Sequence, residues 1–302
     1  MHQMKYHSIS IKNLPMTHPQ RPMRKSIIMP CLLVIGLTLL SISSSLADIS
    51  KQTTYKLGAF PMIAAGQVER VFSPVAAELS RILEKKVYLR TKSSFPLYRK
   101  ELQKQAYDFA IVQPFDYVLA SDKYNYLPLA RFEKPLFTSF MVLPNSPLTK
   151  LEDLKGKRIA LPPMTAAVTH MAKKAFLDAG FDLEKDISLK YTKSHDACLQ
   201  LVMVKTAVTC GSSLRAVHVF QSKWGKHFQV LTNTPSIPNS LFIVHRRVPK
   251  EIREQLLQTL ISWPESSAIG KQFVKNSNNM RLVPANNQEY DVVRNFPKTT
   301  GH

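Results

Sequence analysis

Thr138-Ser139-Phe140-Met141-Val142-Leu143 lies between Pro135 and Pro144, and Ser240-Leu241-Phe242-Ile243-Val244 follows Pro235 and Pro238. These two stretches decide the fold. Each is a short apolar run bounded by prolines, and each reads as a connection between two lobes. The segment they bracket then reads as one lobe inserted into another. Lobe one is residues 48–137 plus 240–302, and lobe two is residues 138–239. A ligand cleft between the lobes follows, because such sites form at domain interfaces and at the carboxyl ends of parallel strands.

Working outward, β-rich runs alternate with helical patterns, which implies an α/β fold with mostly parallel sheets. Tyr55–Ala59 reads as the first strand. Val68, Val71, Phe72, Val75, Leu79, Ile82 and Leu83 then recur at helical spacing. Pro74 within that pattern predicts a kink, or a helix that starts at Ser73 with Pro74 in its first turn. Val87–Thr91 is the second strand, Leu97–Gln105 a polar helix and Phe109–Val112 a short buried strand. In the inserted segment, strands are expected at Arg158–Leu161, Ile187–Tyr191, Val208–Cys210 and Phe228–Thr232. Helices are expected at Thr165–Ala179, ended by Gly180, at His195–Val204, and from Ser213 to Trp224. No repeat or low-complexity tract interrupts residues 48–302.

The amino terminus speaks to the compartment. Residues 1–47 carry Lys5, Lys12, Arg21, Arg24 and Lys25 and no acidic residue; an apolar run from Ile27 to Leu40 and a small-residue patch ending Ser45-Leu46-Ala47 follow. This is the order of a cleaved secretory signal peptide, with cleavage before Asp48. Pro30 and Gly36 break the apolar run, which falls short of the roughly 20 residues of a membrane span. Cys31 lacks a lipoprotein cleavage context. The basic flank is long, and Met23 is an alternative start. The chain is thus expected in the periplasm.

Of the 41 Lys and Arg residues, five leave with the signal, so 36 face 21 acidic residues, a balance of +15. An exported protein rarely meets nucleic acid, and the basic residues are scattered rather than interleaved with aromatics. The excess is a bias toward small anions. Sequence motifs of phosphate-cradling loops, nucleophile elbows and zinc proteases are missing.

The order of several stretches resembles the solute receptors of phosphonate, phosphite and phosphate ABC transporters. Leu57-Gly58-Ala59-Phe60-Pro61 and Phe72-Ser73-Pro74-Val75-Ala76-Ala77-Glu78-Leu79 resemble the opening of that family's first lobe. Tyr107-Asp108-Phe109-Ala110-Ile111-Val112-Gln113-Pro114 resembles its stretch entering the cleft. Lys150-Leu151-Glu152-Asp153-Leu154-Lys155-Gly156-Lys157-Arg158-Ile159-Ala160 resembles the start of lobe two, and Ser194-His195-Asp196-Ala197 its histidine turn. The resemblance implies a type 2 periplasmic-binding-protein fold, a monomer that hands a small anionic ligand to a transporter permease, and no cofactor. One departure stands out. Where the family often has a Ser-Thr-Ser-Gly turn, this chain reads Pro162-Pro163-Met164-Thr165-Ala166-Ala167-Val168-Thr169, so side-chain donors are thinned. The helix that follows still offers backbone N–H groups and a positive dipole.

The candidate ligand-binding residues are Phe60, Ser93, Ser94, Gln113, Phe115 and Tyr117 from lobe one, and Thr165, Ala166, Thr169, His195 and Ser212 from lobe two. Gln113 ends a buried strand before a proline. The aromatics stand beside strand ends and also suit a core. Ser93 and Ser94 suit a ligand or a helix cap. A cationic His195 beside an anion would strengthen binding as pH falls toward 6. Cys198 and Cys210 fit a disulfide, two buried thiols, or, with His195 three residues from Cys198, a metal or haem site. Two other functions remain open: a free-standing sensor that presents its closed form to a membrane signalling protein, and a hydrolase assembled from hydroxyls, Asp108, Asp116 and His195.

Overall fold

The structure, a computed structural model, describes residues 54–61 and 65–297; the basic leader and the cleavage site expected before Asp48 lie outside them. Among the described residues no helix is long and apolar enough to cross a membrane.

The strands are β1 (Thr54–Ala59), β2 (Lys86–Thr91), β3 (Phe109–Val112), β4 (Tyr126–Phe132), β5 (Ser139–Val142), β6 (Arg158–Leu161), β7 (Ser188–Tyr191), β8 (Thr209–Ser212), β9 (Gln229–Asn233), β10 (Leu241–His245) and β11 (Leu282–Pro284). The helices are α1 (Ala65–Leu83), α2 (Phe95–Gln103), α3 (Pro114–Lys123), α4 (Ala167–Asp178), α5 (His195–Met203), α6 (Leu214–Trp224), α7 (Lys250–Ser266), α8 (Ala268–Asn276) and α9 (Asp291–Arg294).

Two sheets result. One has the order β2-β1-β3-β10-β4-β11 and the other β7-β6-β8-β5-β9. In the first, β1 pairs in parallel with β2 and β3, and β10 is antiparallel to β3 and β4. In the second, β6 pairs in parallel with β7 and β8, and β5 is antiparallel to β8 and β9. Each lobe thus repeats one plan: three parallel strands, then an antiparallel strand that enters from the other lobe.

The two apolar runs fold as these entering strands. β5 and β10 are buried along their whole length, which explains their unbroken hydrophobicity. The crossing itself lies just before them, in 133–138 and 234–240. There Leu136 and Ile237 exchange backbone hydrogen bonds of 2.8 Å in both directions, and Thr234 donates its backbone N–H to Thr138 O at 2.9 Å. Pro135, Pro235 and Pro238 sit in this crossing because a two-stranded ribbon spares some N–H groups that a sheet interior requires.

Of the kink or restart expected at Pro74, the restart does not occur, since α1 runs through that residue. Its apolar face of Val68, Phe72, Val75, Leu79 and Leu83 is buried on both sides of the proline. Continuous burial outweighs the loss of one helical hydrogen bond. α4 begins at Ala167 rather than Thr165, because Pro162 and Pro163 lead into a turn first. α6 stops at Gly225, whose φ of 60° is the left-handed conformation glycine adopts at low cost.

Alternation along the strands divides the core of lobe two. Ile159 and Leu161 join Phe140, Ala172 and Phe176 on one face, while Ala160 joins Met141, Leu199, Val217 and Phe220 on the other. Cys198 of α5 and Cys210 of β8 are fully buried in that second cluster and form a disulfide. This answers the three readings of the cysteine pair, because sulfurs bonded to each other are neither thiols nor metal ligands. Lobe one has a larger single core that includes Tyr55, Leu57, Phe109, Ile111, Ile243 and Trp263.

Candidate functional site

The parallel strands of both lobes aim their carboxyl ends at the space between the lobes. Phe60 follows β1, Lys92 and Ser93 follow β2, and Gln113 follows β3. From lobe two, Pro163 follows β6, Lys193 and Ser194 follow β7, and Ser213 follows β8. All of these line one cleft of about 890 Å³. Among the described residues its walls carry five cations, Arg70, Lys92, Lys193, Arg215 and Lys223, against one carboxylate, Asp196. Asp196 lies 3.8 Å from Lys223. Burial lowers the pKa of the Arg215 guanidinium, a desolvated cation whose charge an anion would stabilise.

Gln113 joins the lobes. Its side chain is buried, and its Nε2 donates to Asp116 Oδ2 at 2.9 Å and to Thr165 O at 2.7 Å. Its Oε1 accepts the backbone N–H of Ala167, the first residue of α4, at 2.8 Å. Arg99 holds Asp116 through a 2.7 Å bond, so the amide is oriented by a chain of charge-assisted contacts. The N-terminus of α4 thus receives its cap from the other lobe. Across the cleft, Arg215 Nη2 donates to Asn276 O at 2.8 Å, a second contact between lobes.

Five of the eleven residues singled out from sequence line the cleft: Phe60, Ser93, Gln113, Ala166 and His195. Ser212 lies just behind it, fully buried, with Oγ 2.7 Å from His195 Nδ1. The other five are engaged elsewhere. Ser94 caps α2 by accepting from Leu97 N. Phe115 stacks on His170 at 4.6 Å and meets Phe296 edge-on. Tyr117 is buried in lobe one and donates to Asn287 Oδ1 at 2.7 Å. Thr169 donates to Pro162 O, and Thr165 offers its carbonyl to Gln113 while its hydroxyl is buried without a partner among the described residues.

The charge state of His195 follows from its burial. Burial lowers its pKa to about 4, so the ring is neutral at pH 6 in the unliganded protein. A gain in affinity as pH falls then requires a bound anion to raise that pKa. The carboxylates offered for a hydrolytic site are also committed: Asp108 pairs with Arg247 at 2.7 Å and accepts Lys56 N, and Asp116 pairs with Arg99. Sequence reasoning missed the five cations. Three of them directly follow or flank turns it did single out: Lys92 precedes Ser93, Lys193 precedes Ser194, and Arg215 follows Ser213 by two residues.

Solved structures share this two-lobed form at low sequence identity. PhnD1 of Prochlorococcus marinus, solved with methylphosphonate, superposes with a TM-score of 0.72 at 17% identity, over 81% of this chain and 97% of that one. A binding-protein component of an ABC phosphonate transporter of Pseudomonas aeruginosa gives 0.69 at 12% identity, over 80% and 85%. A Xanthomonas citri protein bound to ATP gives 0.64 at 14% identity, over 82% and 100%. These likenesses establish the type 2 periplasmic-binding-protein fold. Residues 57–290 match the sequence family described as the phosphonate ABC transporter periplasmic substrate-binding protein. With the paired sheets, the crossing strands and the interlobe cleft all in place, the chain belongs to the periplasmic substrate-binding proteins of phosphonate ABC transporters.

Proposed function

We propose that this protein captures an organic anion of the phosphonate or phosphate type in the interlobe cleft and delivers it, as a monomer, to an ABC permease. The observation that carries the reading is the imbalance of charge in the cleft, five basic side chains against Asp196. An anion gains most where cations are partly removed from water, and Arg215 is such a cation. The structural neighbours solved with methylphosphonate and with ATP support phosphorus oxyanions as ligands of this scaffold.

In this reading residues 1–47 are a signal peptide removed before Asp48. Lobe one is 48–137 plus 240–302, and lobe two is 138–239, with the crossing at 133–138 and 234–240 as hinge. The protein acts as a receptor and catalyses nothing. Ser212 and His195 are hydrogen-bonded, but Ser212 is fully buried behind the cleft wall and has no access to a bound solute.

A thermal-shift panel of phosphonates, phosphate esters and sulfonates beside neutral sugars and amino acids tests the proposal. An anion at about 100 times its dissociation constant should add roughly 2.7 kcal/mol of stability. Stabilisation by neutral solutes, with none from any anion, would overturn it.

A further inference from the structure

The two lobes hold the same short turn in the same place of their common plan. In lobe one Thr91-Lys92-Ser93-Ser94 leads from β2 into α2, and in lobe two Thr192-Lys193-Ser194 leads from β7 into α5. In each, the threonine hydroxyl donates to the last carbonyl of the neighbouring strand. Thr91 Oγ1 reaches Ala59 O of β1 at 3.0 Å, and Thr192 Oγ1 reaches Leu161 O of β6 at 2.9 Å. In each, a serine then caps the helix, Ser94 accepting from Leu97 N and Ser194 from Ala197 N. Both ends of the turn are pinned, and the lysine between them lines the cleft, Lys92 from one side and Lys193 from the other. Among the described residues Lys193 has no carboxylate within ion-pair reach, and Lys92 has Glu101 alone, at 3.8 Å. Asp196, the acid of the cleft lining, is 3.8 Å from Lys223. Asp48 is the single acidic side chain outside the described residues.

We infer that the ligand carries two separated acidic groups and spans the cleft, one acid held by the Lys92 turn of lobe one and the other by the Lys193 turn of lobe two. This deepens the proposed function and rests on it. A compact oxyanion that meets one turn leaves the other lysine without a partner. A second acid on a short chain meets both at once, and a cavity of about 890 Å³ has room for that chain. Such a ligand also holds the lobes together, because it makes its full set of contacts only when both turns face it. An ammonium in place of the second acid would bring like charges together, with no uncommitted carboxylate among the described cleft residues to offset them.

Calorimetric titration of the purified protein with three phosphonates of matched length tests this. The ligands 3-phosphonopropionate, propylphosphonate and 2-aminoethylphosphonate end in a carboxylate, a methyl group and an ammonium. The first should bind at least about tenfold more tightly than the second, as one added charge-assisted hydrogen bond predicts. The third should bind more weakly than either. Lys92→Gln and Lys193→Gln, at partly exposed and exposed positions, then separate the two contacts. Each should weaken 3-phosphonopropionate about tenfold. Propylphosphonate, with a single acid, should lose affinity in one variant and keep it in the other. Equal affinity for the carboxylate and methyl ends, or tightest binding of the ammonium end, would overturn this inference and leave capture of a phosphonate standing. So would a lysine variant that leaves 3-phosphonopropionate unchanged, or losses equal for the two ligands in both variants, the mark of a general charge effect. No binding of all three beside stabilisation by neutral solutes would overturn the proposed function as well.

Discussion

His195 shows how a residue's identity and its state differ. Its imidazole opens α5, with Nδ1 2.7 Å from Ser212 Oγ, and burial depresses its pKa from 6.5 to about 4. In the unfolded chain the ring takes up a proton near pH 6.5; in the folded chain it resists until about pH 4. Between these values the unfolded state binds more protons, so stability falls as pH drops through the window. The contribution is at most roughly 3 kcal/mol. Denaturant titrations at pH 6.5 and 4.5 should therefore show a larger loss for the natural protein than for His195→Gln, which cannot titrate. Identical losses would mean that the ring is already charged in the folded protein. The sequence placed His195 and Gln113 at the cleft because a strand end or helix start fixes where a residue lies. It did not reveal the neighbours that set their behaviour. Ser212 behind His195 and Ala167 N against Gln113 Oε1 are contacts between distant segments, and no local pattern encodes them.

Elements with a strong local signature were legible, and those defined by packing were not. β3 and β10 stand out as unbroken apolar runs because both their faces are buried. α4 ends where Gly180 adopts a φ of 79°, a conformation the sequence announces. By contrast α7 and α8 have no clear boundary in the sequence. Pro264 obscures the end of α7, and Ser267 stands between the two helices as C-cap of one and N-cap of the other. Their approach depends on Gly270, where a Cβ would sit 2.5 Å from the Trp263 ring and nearer still to its backbone. Such closeness is a fact of packing, not of periodicity. The disulfide was legible as one of three options, since both cysteines fall beyond the expected signal in an oxidising compartment. It joins α5 to β8 across a sequence separation of 12. Closing a loop of that size should contribute roughly 3 kcal/mol. The double variant Cys198→Ala, Cys210→Ala should lose about that much in urea titration, and the natural protein should lose a similar amount on reduction. No change on reduction would mean that the bridge holds nothing the core does not.

At the scale of the whole molecule, two lobes of one plan meet at a hinge and at side-chain contacts that include the hydrogen bonds of Gln113 and Arg215 and the stack of Phe115 on His170. The hinge is a two-stranded ribbon, in which Leu136 and Ile237 exchange backbone bonds that survive a change of angle. The contacts do not survive it. Opening must break the bonds of Gln113 to Thr165 O and Ala167 N, and that of Arg215 to Asn276 O. Gln113 therefore sets how often the cleft admits a ligand, as well as what the ligand meets. Replacing it by alanine leaves the buried Asp116 paired with Arg99 but removes both bonds to lobe two. Each such bond has a net worth of about 0.5–1.5 kcal/mol, so the closed form should lose about tenfold in population relative to the open one. The unliganded Gln113→Ala variant should thus show a larger radius of gyration in small-angle X-ray scattering. Excess anionic ligand should return it to the natural value, since ligand contacts draw the lobes together again. Affinity should weaken by the same factor, because binding must now supply the closure that Gln113 supplied before. An unchanged radius without ligand would show that the crossing ribbon, not Gln113, fixes the angle between the lobes.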